Sequence, residues 1–167
     1  FNMTGWRLGW LVLPTALAVI GIVMAVGDEV AVDPKRVFVA GLSAGAAMAV
    51  VLGETYPEVF AAVGAHSGLP YAAAHDIPSA LAAMKGRSAL GRAHFPGTAD
   101  DPRREASHAV PVIVFHGDRD RCVAPVNAEN LVAARLAAAD TSVSATVHDE
   151  RTAGHASTRT VHADADG

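Results

Sequence analysis

Aromatic residues make up only 5% of this 167-residue chain, a single cysteine occurs, and the 13 basic residues nowhere gather into a block. Each scarcity removes something. With Cys122 alone, no disulfide forms within the chain, although a disulfide-free protein is compatible with any compartment. Neither Cys-x-x-Cys nor His-Glu-x-x-His spacing is present, so there is no compact metal signature. A net charge of −4 and a pI near 6.0 give no general attraction to a nucleic-acid backbone. The few aromatics leave packing to alanine, valine and leucine, and offer no obvious stacking platform for a phenolic group. The chain is nonetheless 51% hydrophobic, and its length suffices for one domain with a real core.

What the chain does have is a long uncharged run. Residues 8–27 contain no charged side chain, follow Arg7, and carry Trp10 within the run just after Trp6. About 20 apolar residues span a bilayer, so the run reads as a signal-peptide core, a marginal membrane span or a buried helix. Pro14, Gly9 and Gly21, with no clear small-polar cleavage signal after them, favour a buried helix over residues 15–26. Pro14 then falls just outside it or in its first turn. Residues 1–32 thus form an apolar N-terminal segment ahead of a domain at 33–167.

Asp33-Pro34 makes a turn, and residues 37–42 form a short, almost wholly apolar strand, as expected where both faces of a parallel sheet are covered. The strand runs into Gly41-Leu42-Ser43-Ala44-Gly45 and then into a helix over 44–56, closed by Pro57. Strand, Gly-x-Ser-x-Gly and helix in that order outline a nucleophile elbow, where a tight turn lifts the serine hydroxyl clear of the backbone. Gly41 and Gly45 supply room on either side, and Ala44 offers a backbone N–H at the helix start. An ordinary glycine turn is the alternative reading.

A second strand over 60–65 ends in His66-Ser67-Gly68-Leu69-Pro70, and a short helix over 78–85 stops at Gly86. Residues 91–108 are polar and rich in Gly, Pro, Asp and Arg, within a surface excursion at 70–109. A third strand over 111–115, a helix over 126–139, an alternating strand over 141–148 and a fainter one over 158–162 follow. This order predicts a doubly wound, mostly parallel α/β layer architecture. Ligand-facing groups in such sheets gather beyond the carboxyl ends of strands, which is where Ser43, Ser67, Asp118 and Asp120 fall.

A serine hydrolase needs an acid to orient the histidine that takes the serine proton. In an α/β-hydrolase the chain order is serine, acid, histidine. Asp120, in His116-Gly117-Asp118-Arg119-Asp120, satisfies the first two steps. Asp118 competes, and can instead hold its own turn through backbone amides. His116 precedes the acid, and is expected to make a hydrogen bond within the loop.

Gly41-Leu-Ser-Ala-Gly45, His66-Ser-Gly-Leu-Pro-Tyr71 and His116-Gly-Asp-Arg-Asp120 with Val123 and Pro125 together resemble the polyhydroxybutyrate depolymerase family of esterases, which includes feruloyl and acetyl-xylan esterases. The resemblance is good over residues 33–126 and patchy later. It implies an α/β-hydrolase fold, a secreted carboxylester hydrolase, Ser43 as nucleophile and Asp120 as acid. The loop of His66 and Ser67 would line the pocket, and Tyr71 would help shape the acyl or alcohol side.

Two departures stand out. Family members carry a strand ending in His-Gly before the nucleophile, whose loop gives an oxyanion donor; none precedes Ser43, and residues 8–27 do not resemble that region. The family's histidine usually lies in Gly-x-Gly-His after a strand, a turn and another strand. Residues 157–167 look like the strand and turn before it, which would put the base beyond Gly167. Within the chain, Gly154-His155-Ala156 has a similar local setting and follows Asp120 in order, making His155 the candidate base; His148 and His162 are the others. The expected function is a serine carboxylester hydrolase without metal or organic cofactor. Its partner is a polymeric or small ester, with no nucleic acid and no membrane expected. A non-catalytic fragment of the same fold is the alternative.

Overall fold

The computed structural model describes residues 4–74, 76–87, 110–137, 143–152 and 154–163, the side chains of 4–14 and 152 aside. Helix α1 spans Thr4–Glu29. A 3-10 turn at Pro34–Arg36, capped by Asp33, whose carboxylate accepts from the Lys35 amide at 2.9 Å, leads into β1, Phe38–Leu42. Then come α2 (Ala44–Thr55), β2 (Ala62–His66), α3 (Ile77–Met84), β3 (Val112–Phe115) and α4 (Val126–Ala137). Two long strands, β4 (Ser144–Thr152) and β5 (His155–Ala163), complete the order. The anticipated surface excursion at 91–108 lies outside the described residues.

β1, β2 and β3 form a parallel sheet in chain order, in the register Val39↔Val63 and Gly41↔Ala65, with Val63↔Val112 and Ala65↔Val114. That register stacks one row of side chains beneath the helices. Ala46, Ala49 and Val50 of α2 and Leu131 of α4 close over Val63 and Ala65, with Val39, Val112 and Val114 alongside. Fully burying a valine in such a layer stabilises by roughly 1.5–3 kcal/mol. A second cluster joins Ala16, Val19, Ile20 and Val23 of α1 to Leu52 and Phe60.

Three expectations are corrected here. First, the described residues cover the sheet on one face. Phe38, Leu42, Ile113 and Phe115, which alternate with the core row, are exposed among the described residues. Second, α1 is helical but not buried: Leu17, Ile22, Met24 and Val26 are exposed opposite its packed stripe, and it begins at Thr4, so Pro14 lies inside it. Among the described residues no helix is long and apolar enough to cross a membrane. Third, β4 and β5 do not extend the parallel sheet. They pair antiparallel with each other as a separate two-stranded sheet, His148 opposite Arg159 and His162 opposite Ala145.

Short side chains let α2 lie close on the sheet, and the closest point is Gly41. A Cβ there would run into the Gly45 carbonyl and come within 2.6 Å of the Ala46 nitrogen. Those atoms are helix backbone and cannot swing aside. Gly45 differs, since a Cβ there meets nothing within 4 Å and its φ is not positive. Gly41→Ala is accordingly expected to destabilise by about 1–3 kcal/mol through overpacking, whereas Gly45→Ala should be neutral or gain up to about 1 kcal/mol from helix propensity. Urea unfolding of the two variants measures this; equal losses would dismiss the contact at Gly41 as the reason for glycine there.

Candidate active site

Ser43 sits between β1 and α2 with φ 55° and ψ −118°. A non-glycine residue rarely adopts positive φ, and such strain persists only where the surroundings over-determine it. Here they do. The Ser43 amide donates to the His66 carbonyl at 2.8 Å, and the Ser43 carbonyl accepts from the Ala47 amide at 3.1 Å, closing the first turn of α2. Leu42 is held in register opposite His66, and Gly41 lies against Gly45. The Ser43 side chain makes no capping bond, and Ser43 and Ala44 are exposed. Among the described residues nothing engages the Ala44 N–H, which stands at the positive end of the α2 dipole.

The neighbouring strand end is also strained. Ser67, immediately after β2, has φ 50°, is 8% exposed, and donates its amide to the Phe115 carbonyl at 2.9 Å. The ends of β1, β2 and β3 are thus tied in sequence through Ser43–His66 and Ser67–Phe115.

Past β3 the chain forms the acid loop, residues 116–125. Asp120 Oδ1 accepts from the backbone amides of Cys122 at 2.8 Å and Val123 at 3.0 Å. Its Oδ2 lies 3.7 Å from His116 Nε2. The Val123 amide, the Ser67 hydroxyl and the Cys122 amide hold the Asp120 carboxyl below its ordinary value of 3.8, against the opposing effect of burial. His116 makes the loop hydrogen bond expected of it, to the Val123 carbonyl at 2.9 Å, and its buried Nδ1 has no partner among the described residues. Asp118 is exposed, and the amides foreseen for it go instead to Asp120.

The predicted residues divide into those the fold brings together and those it does not. Ser67 and Asp120 meet at adjacent strand ends, beside the loop that anchors Ser43. His66 contributes its carbonyl to the elbow, while its ring lies edge-on to Phe115, centroids 6.4 Å apart; in the register Leu42↔His66↔Phe115 it shares the uncovered face. Tyr71 is exposed beyond Pro70. His155 opens β5, pairs with Thr152 and is exposed. Among the described residues no hydrogen bond or ion pair joins it to Ser43 or Asp120. One residue that sequence reasoning missed is Asn127, 2% exposed in the first turn of α4; as an unremarkable helix polar residue it gave no signal.

A family model described as "Esterase PHB depolymerase" matches residues 13–160. The match begins within α1 and takes in residues 13–32 of the apolar segment, ahead of the stretch over 33–126 where the resemblance was expected to be good. Poly(3-hydroxyalkanoate) depolymerase C of Paucimonas lemoignei is 38% identical over 109 residues, 60% of this chain and 25% of that protein. Acetylxylan esterase A of Aspergillus oryzae is 33% identical over 103 residues, 58% of this chain and 34% of that protein. An acetyl xylan esterase structure from Aspergillus awamori superposes with a TM-score of 0.53 at 22% identity, covering 71% of this chain and 48% of that one. The fold is thus the α/β-hydrolase type, mostly parallel, and the chain spans a quarter to a half of the length of these relatives.

The lowered Asp120 pKa makes stability depend on pH. A carboxyl whose folded pKa lies below its unfolded value contributes stability in full above the unfolded value, near 3.8, and loses it as pH falls through the lower folded one. Denaturation of wild type and Asp120→Asn from pH 7 to pH 2 should show a constant difference above about pH 5, shrinking as acid protonates the carboxyl. A difference independent of pH over that range would mean Asp120 is not held ionised by the loop.

Proposed function

This chain belongs to the Esterase PHB depolymerase family, and from that premise we propose that it is a serine carboxylester hydrolase with Ser43 as nucleophile. The observation that carries the reading is the φ of 55° at Ser43, an exposed serine strained at a strand-to-helix turn. Ser43 Oγ attacks the ester carbonyl carbon and passes its proton to a histidine. The oxyanion that forms takes the free Ala44 N–H, a kind of contact worth roughly 3–4 kcal/mol in the transition state. The histidine returns the proton to the departing alcohol, and water then cleaves the acyl-enzyme in the same way. Asp120 is the acid that orients the base, and His155 is the candidate for that base in chain order. Ser67 and Tyr71 border the site. The substrates are polyhydroxyalkanoate or plant cell-wall-type esters, met outside the cell, and no metal or organic cofactor takes part.

A second reading, a non-catalytic piece of the same fold, is favoured by two particular observations. His116, whose Nε2 lies 3.7 Å from Asp120 Oδ2, has that nitrogen engaged with the Val123 carbonyl. One apolar face of the parallel sheet is also exposed.

Labelling with a fluorophosphonate, followed by peptide mapping, separates the readings. An activated serine gives a single adduct on Ser43, absent from Ser43→Ala. Folded protein that takes up no label sinks the esterase reading. Ser43→Gly supplies an independent check on the elbow, since glycine accepts positive φ. Relief of strain, less the larger chain entropy of glycine, should raise stability by about 1 kcal/mol, seen as a higher melting midpoint than Ser43→Ala.

A further inference from the structure

The acid loop is fastened to α3 by a cluster of hydrogen bonds centred on one buried amide. Asn127 Nδ2 donates to the carbonyls of Ala83 at 3.0 Å and Ala124 at 3.1 Å, with the Met84 carbonyl at 3.5 Å. Ala83 and Met84 end α3, where carbonyls have no partner within the helix. The Ala124 amide donates to the Met84 carbonyl at 2.7 Å, and Lys85 Nζ to the Arg121 carbonyl at 2.9 Å.

These bonds hold consecutive peptide groups. The group between Val123 and Ala124 is gripped at both ends, its carbonyl by His116 Nε2 and its N–H by Met84. The following carbonyl, of Ala124, accepts from both the side chain and the backbone amide of Asn127. The preceding N–H, of Val123, points at Asp120 Oδ1. A mechanical chain therefore runs from Asn127 through Ala124 and Val123 to the Asp120 carboxylate. An apolar residue of similar volume would fill the space but remove the side-chain donor that links these carbonyls, leaving Ala83, Met84 and Ala124 each with its backbone donor alone, from Gly86, Ala124 and Asn127 respectively.

We propose that Asn127 is a positioning residue for Asp120, locking the acid loop to the end of α3 so that the Cys122 and Val123 amides stay aimed at the carboxylate. Its relevance to catalysis rests on the reading of Asp120 as the acid. Asn127 touches no reacting atom.

The test reads Asp120 directly. The side-chain carboxyl signal of Asp120 is followed by carbon-13 NMR from pH 7 to pH 2 in wild type, Asn127→Leu, Asn127→Ser and Leu131→Ala. His116, the titratable group facing Asp120, is followed through its imidazole signals in the same samples. Leu131, on α4, packs in the core cluster with Val63 and Ala65 and makes none of the hydrogen bonds of the clamp, so Leu131→Ala removes apolar burial while leaving those bonds in place. The midpoint of Asp120 should rise toward 3.8 in the Asn127 variants and stay at the wild-type position in Leu131→Ala. An unchanged midpoint in a folded Asn127 variant overturns the proposal. So does a failure of both Asn127 variants to fold, which makes the residue one of the fold and not of the site. An error in the acid assignment shows separately, as an Asp120→Asn protein that labels at Ser43 at the wild-type rate while the titrations still respond to Asn127.

Discussion

The close approach of α2 to the parallel sheet is the constraint on which the site depends. At Gly41 the strand backbone touches the first turn of the helix, and at Gly53 a Cβ would meet the Val63 side chain. Ala46 and Ala49 fill the interval with the smallest side chains that still exclude water. A helix drawn that near must begin within one residue of the strand's end, which leaves Ser43 alone to turn the chain. Its positive φ follows from that packing and not from any preference of serine. The contacts that hold the strain, Ser43 to His66 and Gly41 to Gly45, lie on two different elements. Relaxing the serine would therefore require moving the helix or the second strand.

A similar logic governs Asp120. Asp120 is placed by backbone amides of its own loop, and the loop is braced within by His116 on Val123 and fixed from outside by α3 through Ala124 and Asn127. Ser67 connects the two halves. Its amide bonds to the end of β3, its side chain interacts with Asp120, and its neighbour His66 holds Ser43 through a carbonyl. The elbow and the acid loop are thus joined through two consecutive residues at the end of β2. Short, nearly neutral contacts do this work, which agrees with a chain so poor in aromatics and buried charge.

Much of this was legible in the sequence. Gly-x-Ser-x-Gly between a strand and a helix carries a mechanical requirement, and the same is true of Asp33-Pro34 and of the Pro57 stop. The limits of β1, β2 and β3 fell within about two residues of expectation for that reason. Errors arose where one pattern fits two environments. The apolar strand over 37–42 read as covered on both faces because Phe38 and Leu42 look like core residues, and nothing local records which helices lie over them. The alternation in β4 and β5 identified strands but not their partners, since period-two patterning is the same in a hairpin and at a sheet edge. Asn127 was illegible because its role comes from the carbonyls of α3, more than forty positions away.

The uneven distribution of packing bears on how the site functions. Every helix that shares a described core cluster, α1, α2 and α4, joins one continuous apolar layer on one side of the sheet. Ser43, Ser67 and Asp120 stand at the carboxyl edge of that sheet, so the layer positions them whether or not the opposite face is covered. His155 belongs to no such arrangement. It sits on a hairpin whose strands, among the described residues, pair with each other alone, and two-stranded sheets are marginal without further packing. Ser43, Ala44 and Asp120 are therefore held by the packed sheet and its helices, whereas the place of His155 depends on how the hairpin docks. A triad loses most of its advantage when any one member is misplaced, so under the proposed esterase reading the histidine, and not the elbow, is the member on which the rate depends.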